Sequence, residues 1–94
     1  MRSHEFKNKN RLLVYRQRMG YTQEQVAHLL GQRRTAMLSS YENGRTLPPL
    51  AIALRLGIVL RVPVEFLFAG LYDGLRHEIR SEEQRLSSRE GAPS

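Results

Sequence analysis

The chain has 94 residues and no cysteine, which leaves room for one modest core and excludes both a disulfide framework and thiolate metal sites. Its 15 lysines and arginines against 9 acids give a net charge of +6, a surplus that points to a polyanionic partner, either nucleic acid or an anionic membrane surface. No apolar run reaches the roughly 20 residues needed to span a bilayer, and the N-terminus, MRSHEFKNKN, lacks the apolar centre of a signal peptide, so a soluble cytoplasmic protein is expected.

Residues 1–8 read as a basic flexible arm. Over residues 1–18, Arg2, Lys7, Lys9, Arg11, Arg16 and Arg18 stand against Glu5 alone, whereas residues 71–94 carry four arginines and five acids. Lys7, Lys9 and Arg11 are either an electrostatic arm or a solvated segment. A first helix is expected over residues 10–19, with Leu12, Tyr15 and Met19 at helical spacing, Leu13 widening the stripe and Gly20 as its stop. A second, about eight residues long, follows in YTQEQVAHLLG. There Thr22 is an N-cap with Gln25 three residues on, the spacing of a capping box, and Val26, Ala27, Leu29 and Leu30 supply the apolar face before Gly31.

The stretch GQRRTAMLSSYENGRT carries a third helix, mostly polar, with Met37, Leu38 and Tyr41 as inward anchors and Asn43-Gly44 as its break. Pro48 and Pro49 suit the first turn of a fourth helix whose core stripe is Leu50, Ala53, Leu56, Gly57 and Leu60. Pro63 opens a fifth, PVEFLFAG, stopped by Gly70. Residues 71–86 place Leu71, Leu75, Ile79 and Leu86 on one side of a sixth helix. It is weakened by Arg76 with Arg80 and Glu78 with Glu82 at repulsive spacing, and frays into the tail SSREGAPS. No strand pattern or repeat is visible. The expectation is an all-α domain over residues 9–70, with a C-terminal helix and tail over 71–94.

Two short helices joined by a tight turn after Gly31 make a helix-turn-helix, in which small Ala27 lets the helices cross closely. The ordered set LxxYR, GYTQEQVAHLLG, LSSYENGRTLP and LRVPVEFLF, spread over residues 10–68, resembles the Cro and lambda-repressor type of helix-turn-helix domain, the XRE family. One departure stands out. Between Gly31 and Leu38 the chain is one residue longer than the family pattern, which leaves open whether Gln32, Arg33, Arg34 or Thr35 caps the third helix.

The resemblance implies a compact five-helix fold, here with an additional C-terminal helix, that binds double-stranded DNA with its third helix in the major groove. Carried over residue by residue, Arg34, Thr35, Ala36, Ser39 and Ser40 are base-reading candidates. Gln23, Arg33, Asn43, Arg45 and Thr46 are phosphate-binding candidates, and Arg16 with Glu42 is a structural ion pair. The base-facing residues other than Arg34 are short, and none makes the bidentate contacts that discriminate by ~1–3 kcal/mol, so specificity rests on Arg33 or Arg34, or on DNA shape.

Ile52, Leu54, Ile58 and Val59 lie beside or off the core stripe and, with Leu71, Leu75 and Ile79, offer apolar surface for a partner. The dimer or partner contacts are accordingly Ile58, Val59, Leu71, Leu75 and Ile79. His4, His28 and His77 are scattered, and no metal-ligand spacing, glycine-rich phosphate loop or paired-carboxylate site is recognisable, so no catalysis, cofactor or metal is expected. The reading that follows is a dimeric operator-binding transcriptional regulator, in the sense of a repressor. The alternative is a protein-interaction module, or the antidote of a toxin-antitoxin pair, using the same fold with weak DNA binding.

Overall fold

The computed structural model describes residues 10–90, and the basic arm over 1–8, Lys9 and the last four residues of the tail lie outside that range. Among the described residues six helices follow one another: α1 (Leu12–Met19), α2 (Gln23–Leu29), α3 (Ala36–Glu42), α4 (Leu50–Leu60), α5 (Val64–Leu67) and α6 (Ala69–Glu90). No strand occurs among the described residues.

Each start and stop has a local cause. The Thr22 hydroxyl accepts from the Gln25 amide while the Gln25 side chain accepts from the Thr22 amide, so both donors at the head of α2 are satisfied. Asn10 performs a similar service for α1, its Oδ1 accepting from the Leu12 amide at 3.0 Å. Its Nδ2 donates to the Tyr41 carbonyl at 2.9 Å and so fastens the start of α1 to α3. Pro49 is extended and precedes α4 rather than sitting in its first turn, and Pro63 precedes the single turn of α5 in the same way.

The core is built from Leu12, Val26, Leu30, Leu38, Tyr41, Leu56, Leu60, Leu67 and Phe68, with Tyr15, Met19, Ile52 and Val59 packed partly buried against it. Each fully buried leucine contributes about 1.5–3 kcal/mol, and Leu38→Ala is expected to cost about 2–5 kcal/mol because α3 has little else to hold its inner face. Several residues assigned inward by periodicity lie outside. Leu13, Leu29, Met37 and Leu50 are exposed, since helices of seven to eleven residues on so small a core bury a stripe only two or three side chains wide. Gly57 sits where α4 meets the chain entering α5. A Cβ there would lie 3.0 Å from the Val62 carbonyl oxygen, so a larger residue would push the α4–α5 connection outward by a few tenths of an ångström.

The C-terminal helix departs most from its expected bounds. It begins at Ala69 with Gly70 inside it, only one residue after α5, and runs through Ser87 and Ser88 to Glu90. Pairs at i,i+3, Arg80 with Glu83 and Arg85 with Glu82, offset the repulsive spacings read from the sequence. Every side chain from Leu71 to Leu86 is exposed, and the molecule measures 54 × 31 × 21 Å with a radius of gyration of 16.8 Å. A compact chain of this length would have a radius of about 12 Å, so α6 extends beyond the body that α1–α5 form.

Candidate nucleic-acid interface

The site is organised by one carboxylate. Glu42, the last residue of α3, accepts from Arg16 Nε at 2.7 Å through Oε2, and from Arg16 Nη2 at 3.3 Å and Gln23 Nε2 at 2.9 Å through Oε1. The Arg16 and Glu42 side chains are only 14% and 6% exposed. Arg16 Nη1 also donates to the Tyr21 carbonyl at 3.1 Å, so α1, the α1–α2 turn, the head of α2 and the end of α3 are joined in one charge-assisted network.

This arrangement has an electrostatic consequence. Glu42 is the only acid between Gly31 and Leu47, and it is withdrawn from solvent, while Arg33, Arg34 and Arg45 in the same stretch are exposed and their guanidinium groups hold no hydrogen bond among the described residues. The outer surface of α3 and its two flanking loops is therefore cationic and free of exposed carboxylates. Glu24 on α2 lines a shallow open depression of about 550 Å³ together with Arg33 and Thr35.

The lengthened turn is resolved as an irregular segment over 32–35, with Thr35 at the N-cap position and Ala36 as the first helical residue. Thr35 has helical dihedrals and its side chain makes no cap bond, which leaves the first amides of α3 to other acceptors. At the other end of α2, Arg55 of α4 reaches back and donates from Nη1 to the Leu30 carbonyl at 3.1 Å. It supplies a cation where the carbonyls of α2 are unpaired, just before Gly31 turns the chain at φ +80.

Past Glu42 the chain folds back on α3. The Arg45 amide donates to the Ser40 carbonyl at 3.0 Å, and the Ser40 and Thr46 hydroxyls lie 2.9 Å apart, so a residue of the α3 face and one of the following loop meet directly. Of the base-reading candidates, Ala36 and Arg34 are exposed and Thr35, Ser39 and Ser40 half-buried, and exposed Met37 joins them on the outer side of α3. Of the phosphate candidates, Gln23 is bonded to Glu42, the residue before Asn43. The head of α2 and the 43–46 loop are thereby neighbours.

A helix-turn-helix family model matches residues 12–67, more than half of the chain and the whole span from α1 to α5. The chain belongs to this helix-turn-helix family. The family, of the Cro and XRE type, is one of DNA-binding transcription regulators, and the helix-turn-helix of this chain is α2 and α3 with the 30–35 turn between them. No curated protein and no solved structure gave a significant match. The α6 helix lies outside the matched helix-turn-helix span.

Sequence reasoning does not find the Arg55 clamp, the Asn10 tie to Tyr41 or the outward position of Met37. Arg55 carries a signal, as an arginine interrupting an apolar helix, but its target carbonyl on α2 is set by tertiary packing. The apolar partner surface is also redrawn. Val59 and Ile52 pack against the core and are withdrawn from it, whereas Ile58, Leu71, Leu75 and Ile79 are exposed. Leu71 and Leu75 line an apolar groove of about 390 Å³ with Leu47, Leu50, Phe68 and Tyr72, and Ile58 is not part of it. Among the described residues no group of acids and histidines is placed to hold a metal, and no helix is long and apolar enough to cross a membrane.

Proposed function

We propose that the chain is a sequence-specific DNA-binding regulator that lays α3 in the major groove and acts as a dimer on an operator, in the sense of a repressor. The observation that carries this is the surface without exposed carboxylates on α3 and its loops, obtained by enclosing Glu42 between Arg16 and Gln23. In this reading Arg34, Thr35, Ala36, Ser39 and Ser40 face the bases. The backbone phosphates are met on one side by Arg33 and the amides and Gln23 at the head of α2, and on the other by Asn43, Arg45 and Thr46. The amide nitrogen of Gln23 is held by Glu42, so its share in phosphate binding is to fix the head of α2.

The test is a selection from random duplex DNA with the full chain. Enrichment of two half-sites about 34–36 Å apart, centre to centre, is the expected outcome. A pool that stays random, with equal binding to all duplexes, overturns the reading. It would favour instead a protein-interaction module, for which the apolar groove between α4 and α6 speaks.

A further inference from the structure

The outer two thirds of α6 has no contact that explains its sequence. Leu71 lines the groove against the body at the helix start, and beside it a seam continues outward through Tyr72, Leu75, Ile79, Glu82 and Leu86, at alternating three- and four-residue steps. All of these from Tyr72 on are exposed, and Leu86 lies about 26 Å along the helix from Ala69, by the 1.5 Å rise per residue. A seam of that period is the pattern of a helix pair, and its flanks identify the occupant. Arg76 and Glu83 border it on one side, Glu78 and Arg85 on the other.

We infer that α6 pairs antiparallel with α6 of a second copy of this chain, in the register that sets Leu75 opposite Leu86 and Ile79 opposite Glu82. In that register Arg76 meets Glu83 of the second copy, and Glu78 meets Arg85, each pair occurring twice by symmetry. The alternatives are repulsive. Shifting by one heptad toward the body sets Arg76 against Arg76 and Glu78 against Glu78, and shifting the other way sets Glu83 against Glu83 and Arg85 against Arg85. A parallel in-register pair sets Glu78 against Glu83. Charge complementarity thus selects one orientation and one register. Residues 71–94 carry four arginines against five acids, so the two C-terminal segments do not repel each other through a net basic charge of their own.

The intrachain pairs do not compete seriously. Arg80–Glu83 at 3.3 Å and Arg85–Glu82 at 2.7 Å are solvent-exposed and weak. The second of them holds Glu82, the one acid within the seam, against Arg85 at its edge. The same register brings Leu86 of the second copy to Leu75, at the mouth of the groove lined by Leu47, Leu50 and Phe68. It sets the two Ala69 residues about 35 Å apart along the pair, a separation on the scale of one turn of DNA. This deepens the dimeric reading above but is tested without DNA.

Arg76→Glu and Glu83→Arg are made separately, and each is measured by sedimentation equilibrium at low salt. The short seam predicts a reversible dimer with a dissociation constant of about 1–100 µM, weakened about three- to tenfold by either change. Mixing the two variants restores association. The carboxylate introduced at position 76 of one chain then faces the guanidinium introduced at position 83 of the other, while the unchanged Arg76 and Glu83 face each other at the opposite end. These positions lie seven residues apart in one chain, too far for an intrahelical contact, so recovery on mixing comes only from the antiparallel pair. A parallel pair predicts the opposite sign, with Glu83→Arg alone tightening the dimer against Glu78. Since the chain lacks cysteine, Leu75→Cys mixed with Leu86→Cys is expected to cross-link on oxidation while Leu75→Cys alone does not. Unmodified chain that stays monomeric at about 500 µM, a mixture no more associated than its components, or self-cross-linking of Leu75→Cys overturns the inference.

Discussion

Arg16 and Glu42, twenty-six residues apart, meet edge to edge through two guanidinium nitrogens at 2.7 and 3.3 Å, and the carboxylate has a third donor in Gln23. Removing the carboxylate leaves a poorly solvated arginine and an unpaired amide between α1 and α3. Glu42→Ala is therefore expected to cost about 3 kcal/mol, a large share of what a domain of this size possesses, whereas Gln23→Ala, which removes one hydrogen bond, costs about 1 kcal/mol. Urea denaturation followed by circular dichroism measures both. A loss below about 0.5 kcal/mol for Glu42→Ala would show that the network does not hold the fold.

The Arg55 clamp bears on the turn that precedes α3. Arg55→Met keeps the aliphatic stem but removes the bond to the Leu30 carbonyl, and a loss of about 1 kcal/mol is expected, with faster amide exchange at Gly31 and Gln32 than elsewhere. Hydrogen exchange by NMR separates this from general destabilisation. Uniform acceleration across α1–α5 would mean that the clamp has no local role.

How far the sequence carries can be judged from these two arginines. Arg16 is legible because it stands in a short motif with Tyr15, and because the family pattern pairs it with the acid at the end of the third helix. The capping box of Thr22 and Gln25 is legible for a local reason, since its two partners are three residues apart and its geometry needs no tertiary structure. Arg55 is not, because a side chain reaching across from α4 to α2 leaves no trace in local spacing. Met37 and Leu29 are misplaced for a related reason. Periodicity ranks a helix's sides by hydrophobicity, but which side faces inward is settled by neighbours on other helices, and Leu38 and Leu30 already fill those places. The extra residue before α3 is visible as a length difference, while its effect, a helix beginning at Ala36 after an uncapped Thr35, is set by how the turn packs between α2 and α3.

The three exposed arginines around α3 are expected to separate by measurement. A phosphate contact contributes counterion release, so Arg33→Ala and Arg45→Ala should each lower the slope of log affinity against log salt by roughly 0.9, with the preferred sequence unchanged. Arg34→Ala should instead reduce discrimination at one base position by about 1–3 kcal/mol. Fluorescence anisotropy at four salt concentrations, on the selected operator and a single-base variant, tests both. An unchanged slope for Arg33→Ala and Arg45→Ala would remove them from the phosphate interface.

The Ser40–Thr46 hydroxyl contact couples the face of α3 to the loop behind it, and it makes a distinction that the short residues alone do not. If Ser40 reads a base directly, Ser40→Ala changes the consensus and Thr46→Val, which leaves the Ser40 hydroxyl free to turn, relaxes it at the same position. If the pair serves to hold the loop for phosphate contact, both substitutions lower affinity for all sequences alike. Because the pair is exposed, neither should change stability by more than about 0.5 kcal/mol, so the comparison is made on folded protein. The direct-readout outcome is expected, given that Ser40 is one turn along α3 from exposed Ala36 and so shares its side of the helix. Repeating the selection with each variant checks it, and two consensus sequences identical to that of the unmodified chain would transfer specificity from Ser40 to Arg34 or to the shape of the DNA.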